Sequence, residues 1–196
     1  MISTKFESFI DISYEDLNAI ALSIIKLDYE YYQCIDEDIN TVTDLVVSVL
    51  LERNSDLGQG LALFCNMNLI GYACFFDLKE RLTRSMVSTR CLTNHFMKDR
   101  QRMVRFRENC MVFSKSVAPF NESSFYLNKI AVMERYHGKG FGKDIFEKYL
   151  AIASSQNLPA CFHVRQDNIE AIQFYNKQGF YVEESKYLYQ VVKSRN

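Results

Sequence analysis

Residues 126–143 read Tyr-Leu-Asn-Lys-Ile-Ala-Val-Met-Glu-Arg-Tyr-His-Gly-Lys-Gly-Phe-Gly-Lys, an apolar run, then a loop with three alternating glycines, then the start of a helical pattern. At Gly138, Gly140 and Gly142 no side chain shields the main-chain N–H groups, and the positive end of the following helix adds to their pull on an anion. A strand, an anion cradle and a helix in this order predict a site for a phosphorylated cofactor.

The residues beyond the loop extend the pattern. From Lys143 to Gln156, apolar Ile145, Phe146, Tyr149, Leu150, Ile152 and Ala153 recur at helical spacing, with Pro159 beyond the expected end. Ala160–Val164 suits a short strand. Asn168 can cap a helix that runs through Ala171, Ile172 and Tyr175 and stops at Gly179, a residue suited to a left-handed terminus. Phe180–Val182 and Tyr187–Val192 are aromatic and β-branched, as closing strands are.

Residues 164–180 read Val-Arg-Gln-Asp-Asn-Ile-Glu-Ala-Ile-Gln-Phe-Tyr-Asn-Lys-Gln-Gly-Phe. Together with the glycine loop they resemble the acetyl-CoA-binding half of the GNAT superfamily of N-acetyltransferases, over roughly residues 125–183. The family's loop pattern, Gln/Arg-x-x-Gly-x-Gly/Ala, falls on His137, Gly140 and Gly142, with Gly138, Lys139, Phe141 and Lys143 between and beside them. His137 departs from it, because a neutral imidazole is a weaker phosphate donor than an arginine. The second pattern, Asn-x-x-Ala-x-x-Phe-Tyr with Gly-Phe following, falls on Asn168, Ala171, Phe174, Tyr175, Gly179 and Phe180 without a gap.

The resemblance implies an α/β fold of the α+β kind. It is a single acyl-CoA N-acyltransferase domain over residues 1–196, whose mixed, mostly antiparallel sheet splays into a V between flanking helices. It also implies site residues. Main-chain groups of Ile130, Ala131 and Val132 would pair with the pantetheine arm of acetyl-CoA and polarise its carbonyl. Residues 137–143 would hold the diphosphate, Asn168 would hold the arm from the other side, and Tyr175 would protonate the departing thiolate.

Composition agrees with one domain: 196 residues, 48% hydrophobic and 24% charged, are enough to bury a sizeable core. The longest apolar stretches, such as Leu69–Phe76, fall far short of the ~20 residues that span a bilayer. Met1–Ile10 lacks a basic flank followed by an apolar run, so the expectation is a cytoplasmic protein without membrane contact. The six cysteines show no Cys-x-x-Cys pair and the histidines, His95, His137 and His163, are scattered. Free buried thiols and no metal site are expected.

The N-terminal half is read from periodicity. Tyr14–Tyr32 has helical spacing, Asn40 or Thr41 can cap a second helix through Leu50, and a first strand is expected near Phe6–Ile10. Leu61–Cys65 and Leu69–Phe76 flank Asn66, Met67 and Asn68 as a hairpin would, with Gly71 permitting close approach of a neighbouring main chain. Residues 79–124 form a longer connection than the resemblance requires and read as an insertion.

Charge is segregated along the chain. Residues 1–58 hold twelve carboxylates and three basic residues, a net of −9, whereas Lys79–Glu108 holds nine basic residues against three carboxylates, a net of +6. On one reading, Tyr29, Tyr31, Tyr32, Asp36, Glu37 and Asp38 line an acceptor pocket suited to a cationic amine. On the other, the acidic helices are solvated or pair with the basic segment. The acidic half argues against nucleic acid as a partner.

Acetyl transfer needs a base to deprotonate an ammonium whose pKa lies near ~10. The family positions for that base fall on Tyr126 and Asn128, and neither serves well. Glu134, His163, a carboxylate of the N-terminal helices or a water chain could substitute, and the sequence singles out none. Two functions therefore stand: acetyl-CoA-dependent transfer to a primary amine on a small molecule or a protein, or an acyl-CoA-binding sensor of the same fold. A homodimer is common in the family, and no residue here demonstrates one.

Overall fold

The computed structural model describes residues 4–119 and 123–194. Of the expectations above, the first three residues of the N-terminal stretch and residues 120–122 of the basic segment lie outside them.

The described chain begins with β1 (Thr4–Ser8), followed by α1 (Tyr14–Leu27), the short α2 (Tyr29–Tyr32) and α3 (Ile39–Leu51). Ser13 caps α1 by accepting from the Asp16 N–H, and Leu17, Ile20, Ala21, Ile24 and Ile25 make its buried stripe. The helical spacing that runs on to Tyr32 is broken at Asp28, whose backbone (φ −120°, ψ 39°) leaves the helix. Asp38 caps α3 in place of the expected Asn40 or Thr41. Its two carboxylate oxygens accept one each from their N–H groups, at 3.1 and 3.2 Å, which a side chain with a single acceptor oxygen cannot do as well. The first strand ends at Ser8, before the expected Ile10, because Phe9–Asp11 turns into a 3-10 helix that buries Phe9.

Next, β2 (Gly60–Cys65) and β3 (Asn68–Asp77) pair in an antiparallel hairpin. Its turn is the two residues Asn66 and Met67, both at positive φ (49° and 64°), while Asn68 already belongs to β3 and pairs with Cys65. That turn matches the strands' right-handed twist and leaves Met67 94% exposed. A methyl at Gly71 would collide with the Ala131 carbonyl oxygen, so the close approach expected there is real.

The basic segment is helical. It forms α4 (Arg81–Thr93) and α5 (Arg100–Ser116), the latter capped by Asp99. Leu92, Phe96 and Phe106 join the core of α1 and α3, and Arg102 meets Asp36 at 2.6 Å with His95 on the same carboxylate oxygen. One carboxylate of the acidic region, Asp36, thus pairs with the basic segment within the fold.

The chain then runs through β4 (Phe125–Val132), α6 (Phe141–Ser155), β5 (Ala160–Arg165), α7 (Ile169–Lys177), β6 (Phe180–Glu183) and β7 (Tyr189–Ser194). The seven strands make one sheet in the order β1-β2-β3-β4-β5-β7-β6, antiparallel throughout except for β4 and β5. The helices α1 and α3 pack on one face, and α6 and α7 on the other. Parallel pairing of β4 with β5 lasts only from Phe125↔Ala160 to Leu127↔Phe162. Beyond Leu127 the two strands part, and that V is the centre of the candidate site. Among the described residues no helix is long and apolar enough to cross a membrane.

Candidate active site

Where the strands part, β4 carries an extra residue. Cys74 pairs with Lys129 but Phe75 pairs with Leu127, so Asn128 is a β-bulge. Past it, Met133 N–H donates to the Ile70 carbonyl on β3, and the planar trans peptide turns the Val132 carbonyl to the opposite, open edge. Alternation along the strand then turns the main-chain groups of Ile130 and Val132 into the splay and those of Ala131 onto β3. Of the three residues expected to offer main-chain groups, Ala131 is therefore withdrawn by the pleat.

The glycine loop follows at the end of that edge. Gly138 (φ +74°) and Gly140 (φ +89°) hold left-handed conformations, and an added Cβ at either would meet nothing within 4 Å. Conformation, rather than crowding inside the fold, demands glycine there, and the open space above is where a ligand can approach. Gly140 is also the N-cap of α6, so the first N–H groups of that helix face the loop. Gly142 lies against the end of β4, where an added Cβ would sit 3.7 Å from the Val132 side chain. Tyr136 is stacked by Arg135 and Lys139 and packs edge-on against Phe141. Lys143 leans along α6 to Glu147 at 3.6 Å.

His137 does something the sequence did not suggest. Its Nε2 lies 2.7 Å from the Val132 carbonyl oxygen, and since a carbonyl only accepts, Nε2 carries the proton and donates. The ring clasps the loop to the end of β4. Only its Nδ1 remains for a phosphate, and that atom donates only in the imidazolium form.

On the other wall, Asn168 caps α7 by accepting from the Ala171 N–H at 3.1 Å, and Gly179 (φ +84°) ends the helix. Tyr175, 7% exposed, packs against Phe162 with ring centroids 4.3 Å apart, and against Phe146 and Phe174. Burial pushes its phenol well above the ordinary value, which keeps it protonated.

The remaining base candidates are placed unfavourably. Glu134 is 82% exposed beyond the far end of β4 and meets Lys26 at 3.4 Å. His163 donates from Nε2 to the Ala118 carbonyl at 2.8 Å, which leaves Nδ1 as the acceptor for the Tyr126 hydroxyl at 3.0 Å. Burial lowers His163 to about 4 and raises Tyr126 to about 12, so both are neutral near pH 7.

Two cavities adjoin the splay on the α1 side. The larger, about 600 Å³, is lined by Asp28, Glu30, Tyr31, Phe113, Arg165 and Tyr189, among others. The second, about 350 Å³, shares Asp28, Tyr31 and Phe113 with it and reaches Asp56, Ser88, Asn128 and Lys129. Asp28 and Lys129 meet at 2.5 Å, each about one-fifth exposed. Burial alone would lower Lys129, but the Asp28 carboxylate outweighs it and holds the ammonium above its ordinary pKa.

Of the residues expected around an acceptor, Tyr29, Tyr31 and Tyr32 line these cavities, whereas Asp36 is bound to Arg102 and Asp38 caps α3. Sequence reasoning passed over Asp28, Asp56, Ser88, Phe113 and Lys129. Among the described residues no three His, Cys, Asp or Glu side chains cluster as a metal site would need, and the six cysteines are free thiols.

Comparison with known proteins places this architecture. Among curated protein sequences none matches significantly. Solved structures do. A crystal structure described as an acetyltransferase aligns over 97% of this chain and 98% of its own, at 16% identity and a TM-score of 0.69. An N-acetyltransferase from Staphylococcus aureus Mu50 covers 89% and 95%, at 14% identity and 0.62. The PaiA N-acetyltransferase of Thermoplasma acidophilum, solved in complex with coenzyme A, covers 100% and 99%, at 13% identity and 0.53. These likenesses concern the fold. The family model for the acetyltransferase (GNAT) family matches residues 24–180, from the last turn of α1 to the start of β6. The chain belongs to the GNAT acetyltransferase family.

Proposed function

We propose that this acetyltransferase binds acetyl-CoA in the splay and transfers its acetyl group to the primary amine of a cationic acceptor, held in the cavities between α2 and α5. The observation that carries the proposal is the parting of β4 from β5 at Asn128, which leaves an open main-chain edge between a left-handed glycine loop and a buried, protonated tyrosine.

The residues fit the co-substrate. Main-chain groups of Ile130 and Val132 can pair with the amides of the pantetheine arm, while Asn168 flanks it from α7. Gly138, Gly140 and the first N–H groups of α6 can accept the diphosphate, with Lys139 and Lys143 beside them. The Thermoplasma acidophilum structure with coenzyme A supports the same use of the fold. What the co-substrate supplies is a thioester carbonyl ready for attack by an amine. An N–H on the open edge polarises that carbonyl, and Tyr175 gives its proton to the departing sulfur.

On the acceptor side, Lys26, Arg165 and Asp28 are each ion-paired, with Glu134, Asp167 and Lys129 respectively. Glu30 lines the larger cavity beside Tyr29, Tyr31 and Tyr189, with no ion pair among the described residues. A carboxylate among aromatic faces favours a cation. Release of free CoA thiol from acetyl-CoA, measured with polyamines, amino acids, aminoglycosides and lysine peptides, tests this. Selective acceleration by cationic amines is expected. Tight binding of acetyl-CoA with no acceleration by any amine would replace transfer with an acyl-CoA sensor, a role the unsuitable Tyr126 and Asn128 would then favour.

A further inference from the structure

We propose that Asp56 is the proton acceptor of this reaction, taking the ammonium proton from the acceptor amine at the apex of the splay. The inference rests on the acetyl-transfer reading above and supplies the base that β4 itself lacks.

Position comes first. Asn128, the bulged residue where β4 and β5 part, donates from Nδ2 to the Asp56 carbonyl at 2.8 Å. The residue at the family's position for a base thus fastens the loop that carries Asp56 to the same spot. Asp56 and Asn128 line the smaller cavity together. Of the two carboxylates in that cavity, Asp28 is bound to the Lys129 ammonium, whereas Asp56 has no ion pair among the described residues.

Support comes next. Ser88 on α4 donates to Asp56 Oδ1 at 2.5 Å and accepts from the Asp56 N–H at 3.1 Å, so one carboxylate oxygen and the rotamer are fixed while Oδ2 is left for a substrate. The flanking loop is tied from both sides. Ser55 donates to the Val49 carbonyl at 2.6 Å, and Arg84 donates to the carbonyls of Arg53 and Ser55. A connecting loop held by this many bonds is a rigid mount, which proton transfer requires.

The surroundings tune the group. Burial raises its pKa, while the Ser88 hydroxyl, Lys129 on β4 and Arg84 on α4 lower it, and the net direction is upward. Tyr31 and Tyr32 on α2, Tyr126 on β4 and Cys74 on β3 also face it, all pushed up by burial and therefore neutral. A carboxylate raised toward the working pH is a better base than an ordinary one.

The step balances. Asp56 takes one proton from R–NH₃⁺, and the freed lone pair forms the C–N bond at the thioester carbonyl. On collapse of the tetrahedral adduct, the C–S electron pair leaves on sulfur, which takes the Tyr175 proton. The second ammonium proton restores Tyr175, and the proton on Asp56 returns to solvent, so the products are the amide, CoA thiol and one proton.

The test is Asp56→Asn, which keeps an oxygen for Ser88. With the best amine found for the wild type, kcat/KM near pH 7 is expected to fall about a hundredfold or more, with acetyl-CoA affinity by calorimetry unchanged. The deficit should shrink above about pH 10, where the amine deprotonates unaided. Ser88→Ala, which keeps the carboxylate but removes a donor that favours its ionised form, should move the acidic limb of the pH profile to higher pH. An Asp56→Asn enzyme within threefold of wild type overturns the assignment while leaving acetyl transfer intact. If that variant does not fold, an unmoved acidic limb in Ser88→Ala overturns it instead. A wild type inactive with every amine overturns the transfer reading and, with it, the role of Asp56.

Discussion

The two sides of the splay are built from different materials. The side between β4 and α6 is a continuous stretch of chain, residues 130–143, whose working parts are main-chain groups and two left-handed glycines. The opposite side is assembled from α1, α2, the loop after α3, α4, α5 and the bulge, and its working parts are side chains held in ionic and hydroxyl contacts. A main-chain site is broken by changing backbone conformation or blocking approach, and a side-chain site by removing one partner of a charged pair. Each kind of damage should stay on its own side.

The sharpest break is expected on the main-chain side. Gly140→Asp puts a carboxylate where the diphosphate must approach and a Cβ on a residue at φ +89°. Like charges brought together cost several kcal/mol, so acetyl-CoA affinity measured by calorimetry should fall about a thousandfold. The α1 side should keep its fold, because nothing within 4 Å meets the new Cβ. Undiminished affinity would take the loop out of the cofactor site.

Lys129→Met tests the opposite side. It strands the Asp28 carboxylate, and since both groups are about four-fifths buried, stability should drop by about 3 kcal/mol in denaturant melts. Adding Asp28→Asn should recover much of that. A single variant as stable as the wild type would mean that the pair merely decorates the cavity wall.

Tyr175→Phe probes the buried tyrosine of α7. It should leave acetyl-CoA binding intact and lower kcat about a hundredfold, if the phenol supplies the proton to sulfur. An unchanged rate would reduce Tyr175 to a packing residue between Phe162 and Phe146.

How legible each side was follows from how it is built. Glycines at 138 and 140, the cap at Asn168 and the apolar stripe of α6 act over a few residues, so their spacing alone foretold strand, loop and helix. Asp56, Ser88 and Lys129 are separated by 32 to 73 positions in sequence and meet only because the loop after α3, α4 and β4 converge, and no local pattern encodes that. The helices of the basic segment were hidden for a related reason. Its charge was visible, but the three buried side chains Leu92, Phe96 and Phe106 that dock α4 and α5 were too few to stand out among nine basic residues. Small slips at Asp38, Ser8 and Asn68 came from caps and turns, where one side chain decides between neighbouring positions.

The smallest expected effect concerns the contact that holds the charged halves together. Backbone donation from Asp38, with Arg102 and His95 beside it, lowers Asp36 to about 2 in the folded protein. A carboxylate depressed on folding stabilises the fold above its unfolded value near ~4 and stops doing so as pH falls through about 2. Solvent screens the pair, so Asp36→Asn should cost about 1 kcal/mol at neutral pH. That difference should shrink in melts carried down toward pH 2 and disappear below it, where the wild-type carboxylate is protonated too. A cost that persisted there would mean that Asp36 acts through shape, and that α5 is docked by Phe96 and Phe106 without help from charge.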